Sequence, residues 1–429
     1  VQSAALATTA AQRADALMHV SQQITARAEE IAQLITAENG KPLMWSRIEV
    51  TRGASTFRWA AEEARRWSGE LQRLDTDATS AGRMAVIRRF PNGPVLGIAP
   101  FNFPLNLVAH KVAPALAVGA PIIVKPAPAT PMTALLLGEL LAQTDLPAGM
   151  WSVLPLANEQ TADLVADPRL PVVSFTGSET VGYHIQASQP TKHVVLELGG
   201  NAAAVVLADW SSDADLEWAA TRIATFGNYQ AGQSCVSVQR VLVDESVYER
   251  FVPLLVAKLE ALKTGAPTDE DVQVGPVIND AAAARIQSWI DDAVASGATL
   301  LAGGTREGTT IAPTLLSDAP AEAKVSCEEV FGPVMTIAPV AGVDAALAAV
   351  NDSRFGLQAG IFTHDLQIAF RAHRELVVGG VVIGDVPSFR ADQMPYGGVK
   401  SSGLGREGLR AAMTDLTHDR VMVLTGLDL

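Results

Sequence analysis

Two cysteines occur in 429 residues, and one of them, Cys235, ends the stretch "FGNYQAGQSC". A thiol among small residues, with a glycine close by, has room for a substrate and can act as a nucleophile; it can equally be a small apolar filler. Other segments hold groups able to work with it. "HVVLELGG" puts the carboxylate of Glu197 at the end of a buried strand, where its pKa rises and it can take a proton near neutrality. "VVSFTGSETVG" runs a strand into Gly177 and lets Ser178 cap the next helix. Free amides and the positive end of that helix then form a phosphate site. Of the usual dinucleotide glycines only Gly177 and Gly182 are present, and a tight turn accounts for them as well. Glu197 follows Gly177 by 20 residues, the interval of a ribose-binding acid, and on spacing alone that reading leads over the general base.

Asn102 sits between Phe101 and Phe103, flanked by Pro100 and Pro104. A buried amide needs partners, either turn backbone or a developing oxyanion to which it donates. Lys125 ends the apolar run "APIIVK". At the carboxyl end of a strand in an α/β sheet it faces the ligand crevice, unless it snorkels to the surface.

The elements that must position these groups show a change of texture along the chain. "ADALMHVSQQITARAEEIAQLITAENG" is read as one helix stopping at Gly40, and a second helix covers about Trp45 to Trp67. "LQRLDTDATSAGRMAVIRRFPNG" alternates around turn signals and is read as a β-hairpin or extended arm. From Pro94 short apolar strands alternate with helices, including a helix starting near Pro104, as a parallel sheet covered on both faces requires. The pattern restarts after Gly200. The expected fold is α/β: two Rossmann-like parallel-sheet domains and a small β arm. The first domain comprises 1–71 and 92–198, the arm and tail 72–91 and 413–429, and the second domain 199–412. The tail "DRVMVLTGLDL" is read as an edge strand that pairs with another subunit.

Composition bounds the function. Hydrophobic residues make up 48% and charged residues 18%, which fits a well-buried globular chain too long for one simple core. The formal net charge of −14 disfavours nucleic acid and anionic lipid as partners. The apolar region Val95–Val124 is interrupted by Asn102, Asn106, His110, Lys111 and four prolines, so it is not a membrane span. Two cysteines suit a reducing compartment, and a cytoplasmic location is expected. The first residues carry Arg13 and Asp15 and do not read as a signal peptide; the missing initiator Met suggests a trimmed N-terminus. Cys327, followed by two glutamates, is read as structural. His110, His184 and His193 lack metal-ligand spacing, and no metal is expected.

In combination, "PFNFPLNLVAHKVAPALAVG", "VKPAPATP", "FTGSETVG", "LELGGN", "GQSC", "EEVFGPV", "NDSRFGLQAGIFT" and "MPYGGVKSSGLGREG" occur in the order seen in the aldehyde dehydrogenase superfamily. The chain resembles that family from "AENGKP" to its last strand. The resemblance implies an NAD- or NADP-dependent, non-acylating enzyme in which Cys235 attacks the aldehyde and Asn102 and the Cys235 N–H hold the oxyanion. Glu197 then activates water to release the acid, which replaces the ribose reading. It further implies Lys125 on the adenosine ribose, Ser178 on the pyrophosphate beside Gly177 and Gly182, and Glu329 on the nicotinamide ribose. Phe331 lies beside the nicotinamide, with Pro100 and Phe101 on the same cofactor wall. Glu407 resembles a proton relay, with a helix-capping charge as the alternative. Pro128 stands where NAD-preferring members often carry a glutamate, so a 2′-phosphate is not repelled and NADP joins NAD. Phe103, Tyr229 and Arg390 fall at the substrate tunnel. Arg390 there either grips a carboxylate or phosphate, or pairs with Asp392 or a neighbouring subunit. The nearest subgroup acts on lactaldehyde, phosphonoacetaldehyde and related small polar or anionic aldehydes. The arm and tail resemble the family's oligomerisation strands and imply a homodimer or tetramer.

Overall fold

A computed structural model of the chain describes residues 2–426 and 428. The chain forms two large, mostly parallel sheets of six and seven strands, a three-stranded antiparallel sheet that is the arm, and two small two-stranded pairs. The first sheet has the order Gly403–Leu404, His193–Glu197, Val172–Thr176, Val95–Ile98, Ile122–Lys125, Trp151–Val153, all parallel except the first. The chain builds outward from Val95–Ile98 on one side and then returns to its other side. The crevice of such a sheet lies where that direction reverses, at the carboxyl ends of Val95–Ile98 and Val172–Thr176. The second sheet runs Thr299–Ala302, Thr314–Ser317, Val334–Val340, Val238–Asp244, Ala202–Val206, Gln358–Phe362, Gly380–Ile383, again with only the first strand antiparallel. The expected α/β class with two parallel-sheet domains is what the chain adopts.

Three local expectations change. The first long helix is two, Ala10–Ala26 and Ala28–Asn39, broken at Arg27 (φ −107°, ψ 26°). No glycine or proline marks that break. Arg27 instead turns its guanidinium onto Glu30, at 2.6 and 2.8 Å, in the next helix's first turn. The helix expected from Pro104 begins at Asn106. Its start is set by a distant side chain: Glu49 Oε1 accepts the N–H groups of Leu105 and Asn106 at 2.9 and 3.1 Å, a carboxylate at the positive end of a helix. The boundary expected at 412 also moves. Gly403–Leu404 joins the first sheet opposite Leu196 and Glu197, and Leu409, Met413 and Leu416 are buried in the first domain's core.

The arm pairs Glu70–Arg73 with Arg83–Pro91, and Arg83–Pro91 with Thr417–Thr425, all antiparallel. The tail read as pairing with another subunit therefore pairs first with its own chain; residues 413–415 end a helix, and Leu427 and Leu429 lie outside the described residues. No described helix is long and apolar enough to cross a membrane.

Candidate active site

The two sheets meet where one strand's end becomes the next sheet's beginning. His193–Glu197 ends on Glu197, and Leu198–Asn201 carries the chain straight into Ala202–Val206. Cys235 lies just before Val238–Asp244, beside this passage. The approach is closest at Gly200, where a Cβ would stand 2.1 Å from the Cys235 carbonyl oxygen; no side chain fits there.

The loop before the thiol is unusually bent. Gln230, Ala231 and Gly232 have φ of 55°, 53° and 68° in succession. Two non-glycine residues in the left-handed region are held only where their surroundings over-determine them. Gln233 supplies part of that hold: its Nε2 donates to Gln230 O at 3.1 Å and its Oε1 accepts Ile278 N–H at 2.9 Å. Asn102 Nδ2 donates to Gln233 O at 2.9 Å, which brings the "NFP" loop to the cysteine loop. The Asn102 amide keeps a second N–H, and the Cys235 N–H donates to no described group. These two donors are available to an oxyanion on a carbon bonded to the sulfur.

The "AENGKP" segment clamps the Asn102 loop from beneath. Lys41 Nζ donates to Asn102 O at 2.8 Å, lies 4.0 Å from the Phe103 ring centroid, and pairs with Glu49. Both charged side chains are fully sealed. Asn39 donates to Phe101 O and accepts from Gln230, tying both loops together.

Glu197 is buried, and among the described residues neither of its oxygens has a hydrogen-bond partner. Burial, then the charge of Glu407, pushes its carboxyl well above the usual range. Glu407 is the converse. Burial would raise it too, but Lys111 Nζ at 3.3 Å and Arg390 Nη2 at 3.1 Å outweigh that and hold it anionic below the usual range. Burial pushes the Cys235 thiol up to about 12, and the Tyr396 hydroxyl, 3.1 Å from the sulfur, works against that.

A cleft of about 570 Å³ opens at the crevice of the first sheet, lined by Pro100, Phe101, Lys125, Pro128 and Gly177 among others. Lys125 Nζ donates to Asn158 Oδ1 at 2.8 Å. The size, the sequestered cation and the helix N-terminus at Ser178 fit a dinucleotide. Ser178 occupies the N-cap position, but its side chain makes no capping bond, contrary to expectation; its hydroxyl is left for a ligand. Glu179 turns away to Arg354. Gly182 serves packing: a Cβ would lie 2.4 Å from Leu198 Cδ2, so the glycine lets the helix close on the strand. Phe331 (φ 50°) meets Phe101 edge-on at 5.8 Å. Glu329 is half-buried and not part of the cleft's lining: its Oε1 accepts the Gly200 N–H at 2.8 Å, and desolvation of its carboxyl raises its pKa to about 7.

Phe103 and Tyr229 face each other with ring centroids 6.0 Å apart, and Tyr229 OH donates to Ser234 Oγ at 3.0 Å, next to the cysteine. Within its own chain Arg390 does not pair with Asp392, the intramolecular partner the sequence offered. It is buried, lies 3.9 Å from the Tyr396 ring centroid and pairs with Glu407, while Asp392 pairs with Arg52 and His110. Cys327, read as structural, is exposed.

Sequence reasoning missed Lys111, Tyr396, Lys41 and Asn39. Lys111 had a signal, a lysine inside the mostly apolar helix Asn106–Val118, where an amine is seldom left unpaired. The others carried none beyond lying in quoted motifs.

Comparisons with known proteins place the whole chain in a family. A family model described as "Aldehyde dehydrogenase family" matches residues 2–422. The 3-sulfolactaldehyde dehydrogenase of Priestia megaterium is 42% identical over 96% of this chain and 86% of its own length. The crystal structure of aldehyde dehydrogenase 21 from Physcomitrella patens, in complex with the reaction product succinate, superposes with a TM-score of 0.97 at 44% identity, covering 99% of this chain and 88% of that one. The NADP complex of glyceraldehyde-3-phosphate dehydrogenase from Methanocaldococcus jannaschii gives 0.94 at 33% identity, covering 99% and 92%. The chain that brings Cys235, Asn102 and Glu197 together between its two sheets belongs to the aldehyde dehydrogenase family.

Proposed function

We propose that this protein oxidises a small anionic aldehyde to the free acid with NAD or NADP, through a thioester on Cys235. The observation that carries the reading is the juxtaposition of a thiol, a tethered amide donor and a buried carboxylate whose oxygens have no other partner. Cys235 Sγ adds to the carbonyl carbon, and the π electrons move to oxygen, where the Asn102 amide and the Cys235 N–H hold the charge. The carbon, now tetrahedral, can give up a hydride that a free aldehyde's carbon does not surrender, and a nicotinamide held in the cleft would supply the two-electron acceptor for it. Collapse restores the C=O bond as a thioester. Glu197, once ionised, removes a proton from water; the water oxygen attacks the thioester, the C–S bond breaks, and the thiolate leaves. Glu197 favours hydrolysis over transfer to coenzyme A, because it supplies the base that transfer does not need. Glu407, held anionic by Lys111 and Arg390, is a poor proton relay; its charge instead raises the proton affinity of Glu197, which passes the proton on to water.

Lys125, Pro128, Gly177 and Ser178 would hold the adenosine and pyrophosphate, with Phe331, Phe101 and Glu329 toward the nicotinamide. Support for an anionic substrate is twofold. Arg390 and Arg52 are close enough to act on Cys235 and Tyr229, and each would have to share its charge between a substrate anion and its present partner, Glu407 or Asp392. Some relatives are named for a sulfonated or a phosphorylated aldehyde or hold a dicarboxylate product, and others are named for the neutral lactaldehyde. The exposed Val421, Met422 and Val423 on the arm's outer strand suit a homodimer or tetramer. The test is reduction of NAD and NADP, followed by absorbance, with neutral aldehydes (propanal, lactaldehyde) against anionic ones (sulfolactaldehyde, succinate semialdehyde, glyceraldehyde 3-phosphate). Equal turnover of the neutral members would remove the anionic preference. No reduction with any aldehyde would overturn the reaction.

A further inference from the structure

We propose that Tyr396 is a catalytic residue: its phenol hydroxyl donates a hydrogen bond to the sulfur of Cys235 and stabilises the thiolate that attacks the aldehyde. The proposal rests on the reading of Cys235 as nucleophile.

The sulfur is in a difficult place for a thiolate. It packs beside Val236, Leu357 and Tyr396, an apolar setting that disfavours charge. Of the charged groups that face it, Glu329 and Glu197 oppose ionisation and Arg390 favours it. No imidazole stands against it. Among the described residues the Tyr396 hydroxyl, at 3.1 Å, is the only side-chain group in hydrogen-bond contact with the sulfur.

The hydroxyl is held for this contact. Tyr396 is 4% exposed. Its N–H donates to Glu407 O at 3.0 Å and its carbonyl accepts the Glu407 N–H at 2.7 Å, so the loop is pinned on both sides. Arg390 lies 3.9 Å from the ring centroid and is itself fixed by Glu407 at 3.1 Å. A cation over the ring draws electron density from the phenol and makes its O–H a stronger donor. Phenylalanine would fill the same apolar space. A buried hydroxyl is unfavourable without a partner, and the partner here is the reacting atom.

The atoms balance simply. Ionisation sends the thiol proton to water, and the phenol keeps its own proton and shares it with the sulfur. When the S–C bond forms, the negative charge passes to the former carbonyl oxygen, where Asn102 and the Cys235 N–H take it, and the phenol contact relaxes.

The test is alkylation by iodoacetamide against pH, in full-length protein carrying Cys327→Ser to remove the exposed second thiol, with modification at Cys235 checked by peptide mass. Tyr396→Phe should slow alkylation about tenfold at every pH below the inflection, as an upward move of the thiol's inflection requires. NADP affinity and the melting profile should stay as in the parent, which separates the effect from misfolding. An unchanged or downward-shifted inflection in the folded variant overturns the role of Tyr396. A different result, full turnover after Cys235 of the parent is alkylated, overturns the nucleophile instead.

Discussion

Arg390 Nη2 stands 3.1 Å from Glu407 Oε2, with both side chains shut away from solvent. Seventeen residues separate them in sequence, and the loop between folds back so that Tyr396 and Glu407 bridge main chain to main chain. Removing one member of a buried pair leaves the other charge uncompensated, at a cost of about 3–5 kcal/mol. Lys111 keeps Glu407 partly paired, so Arg390→Ala should fall near the lower end, seen as a lower melting temperature. It should also raise the Michaelis constant of anionic aldehydes more than that of neutral ones. Equal changes would leave Arg390 only its part in the Glu407–Tyr396 assembly.

Cys235→Ala should abolish aldehyde oxidation while cofactor affinity, measured by fluorescence titration, is retained. The cleft that fits the dinucleotide is lined mainly by residues of the first domain, with Ile278 and Asn279 from the second, and Cys235 is not part of its lining. Measurable turnover in this variant would refute the nucleophile.

Glu197 is expected to govern both acid release and pH-dependent stability. Its folded-state pKa is raised, first by burial and then by Glu407. Its contribution to stability is therefore complete below the unfolded value of about 4.3 and is lost as pH rises through the folded value. Glu197→Gln should melt at a higher temperature than the parent at neutral pH and alike near the unfolded pKa. In rapid mixing it should show a burst of reduced nicotinamide followed by slow turnover, with the rising limb of the acid-release profile flattened. A variant that chiefly loses cofactor affinity would return Glu197 to the ribose.

Pro128 lines the cofactor cleft near Lys125. Placing a carboxylate there with Pro128→Glu should weaken NADP binding by about tenfold through like-charge repulsion of the 2′-phosphate, with NAD spared. The ratio of the two Michaelis constants measures it.

Lys41 supports the Asn102 loop through the carbonyl of Asn102 and through Glu49. Lys41→Met strands the Glu49 carboxylate and should cost about 3–5 kcal/mol. Lys41→Met with Glu49→Gln should recover part of that stability but not kcat, because the Asn102 loop remains unclamped. Chemical denaturation and steady-state kinetics on the same samples separate the two effects.

The sequence by itself determined the elements and their alternation. Gly40 does end a helix, in the left-handed conformation glycine allows (φ 76°), and the hairpin at Leu71–Arg89 pairs as its alternation implied. Such signals are local: a period of two or of 3.6 residues, or a glycine, acts over a few positions. The ordered motifs also sufficed to point to the family. Spacing alone pointed Glu197 to a ribose, because a fixed interval does not say whether a strand end faces the crevice or passes into the next sheet. It likewise offered Asp392, two residues away, as the partner of Arg390. Tertiary structure decided these points. Glu407 meets Lys111 across 296 residues, and Glu49 caps a helix 56 residues on. In a low-dielectric interior a charge is stabilised only by the opposite charge that folding brings within reach, and that distance is set by how sheets and helices cross, not by position along the chain.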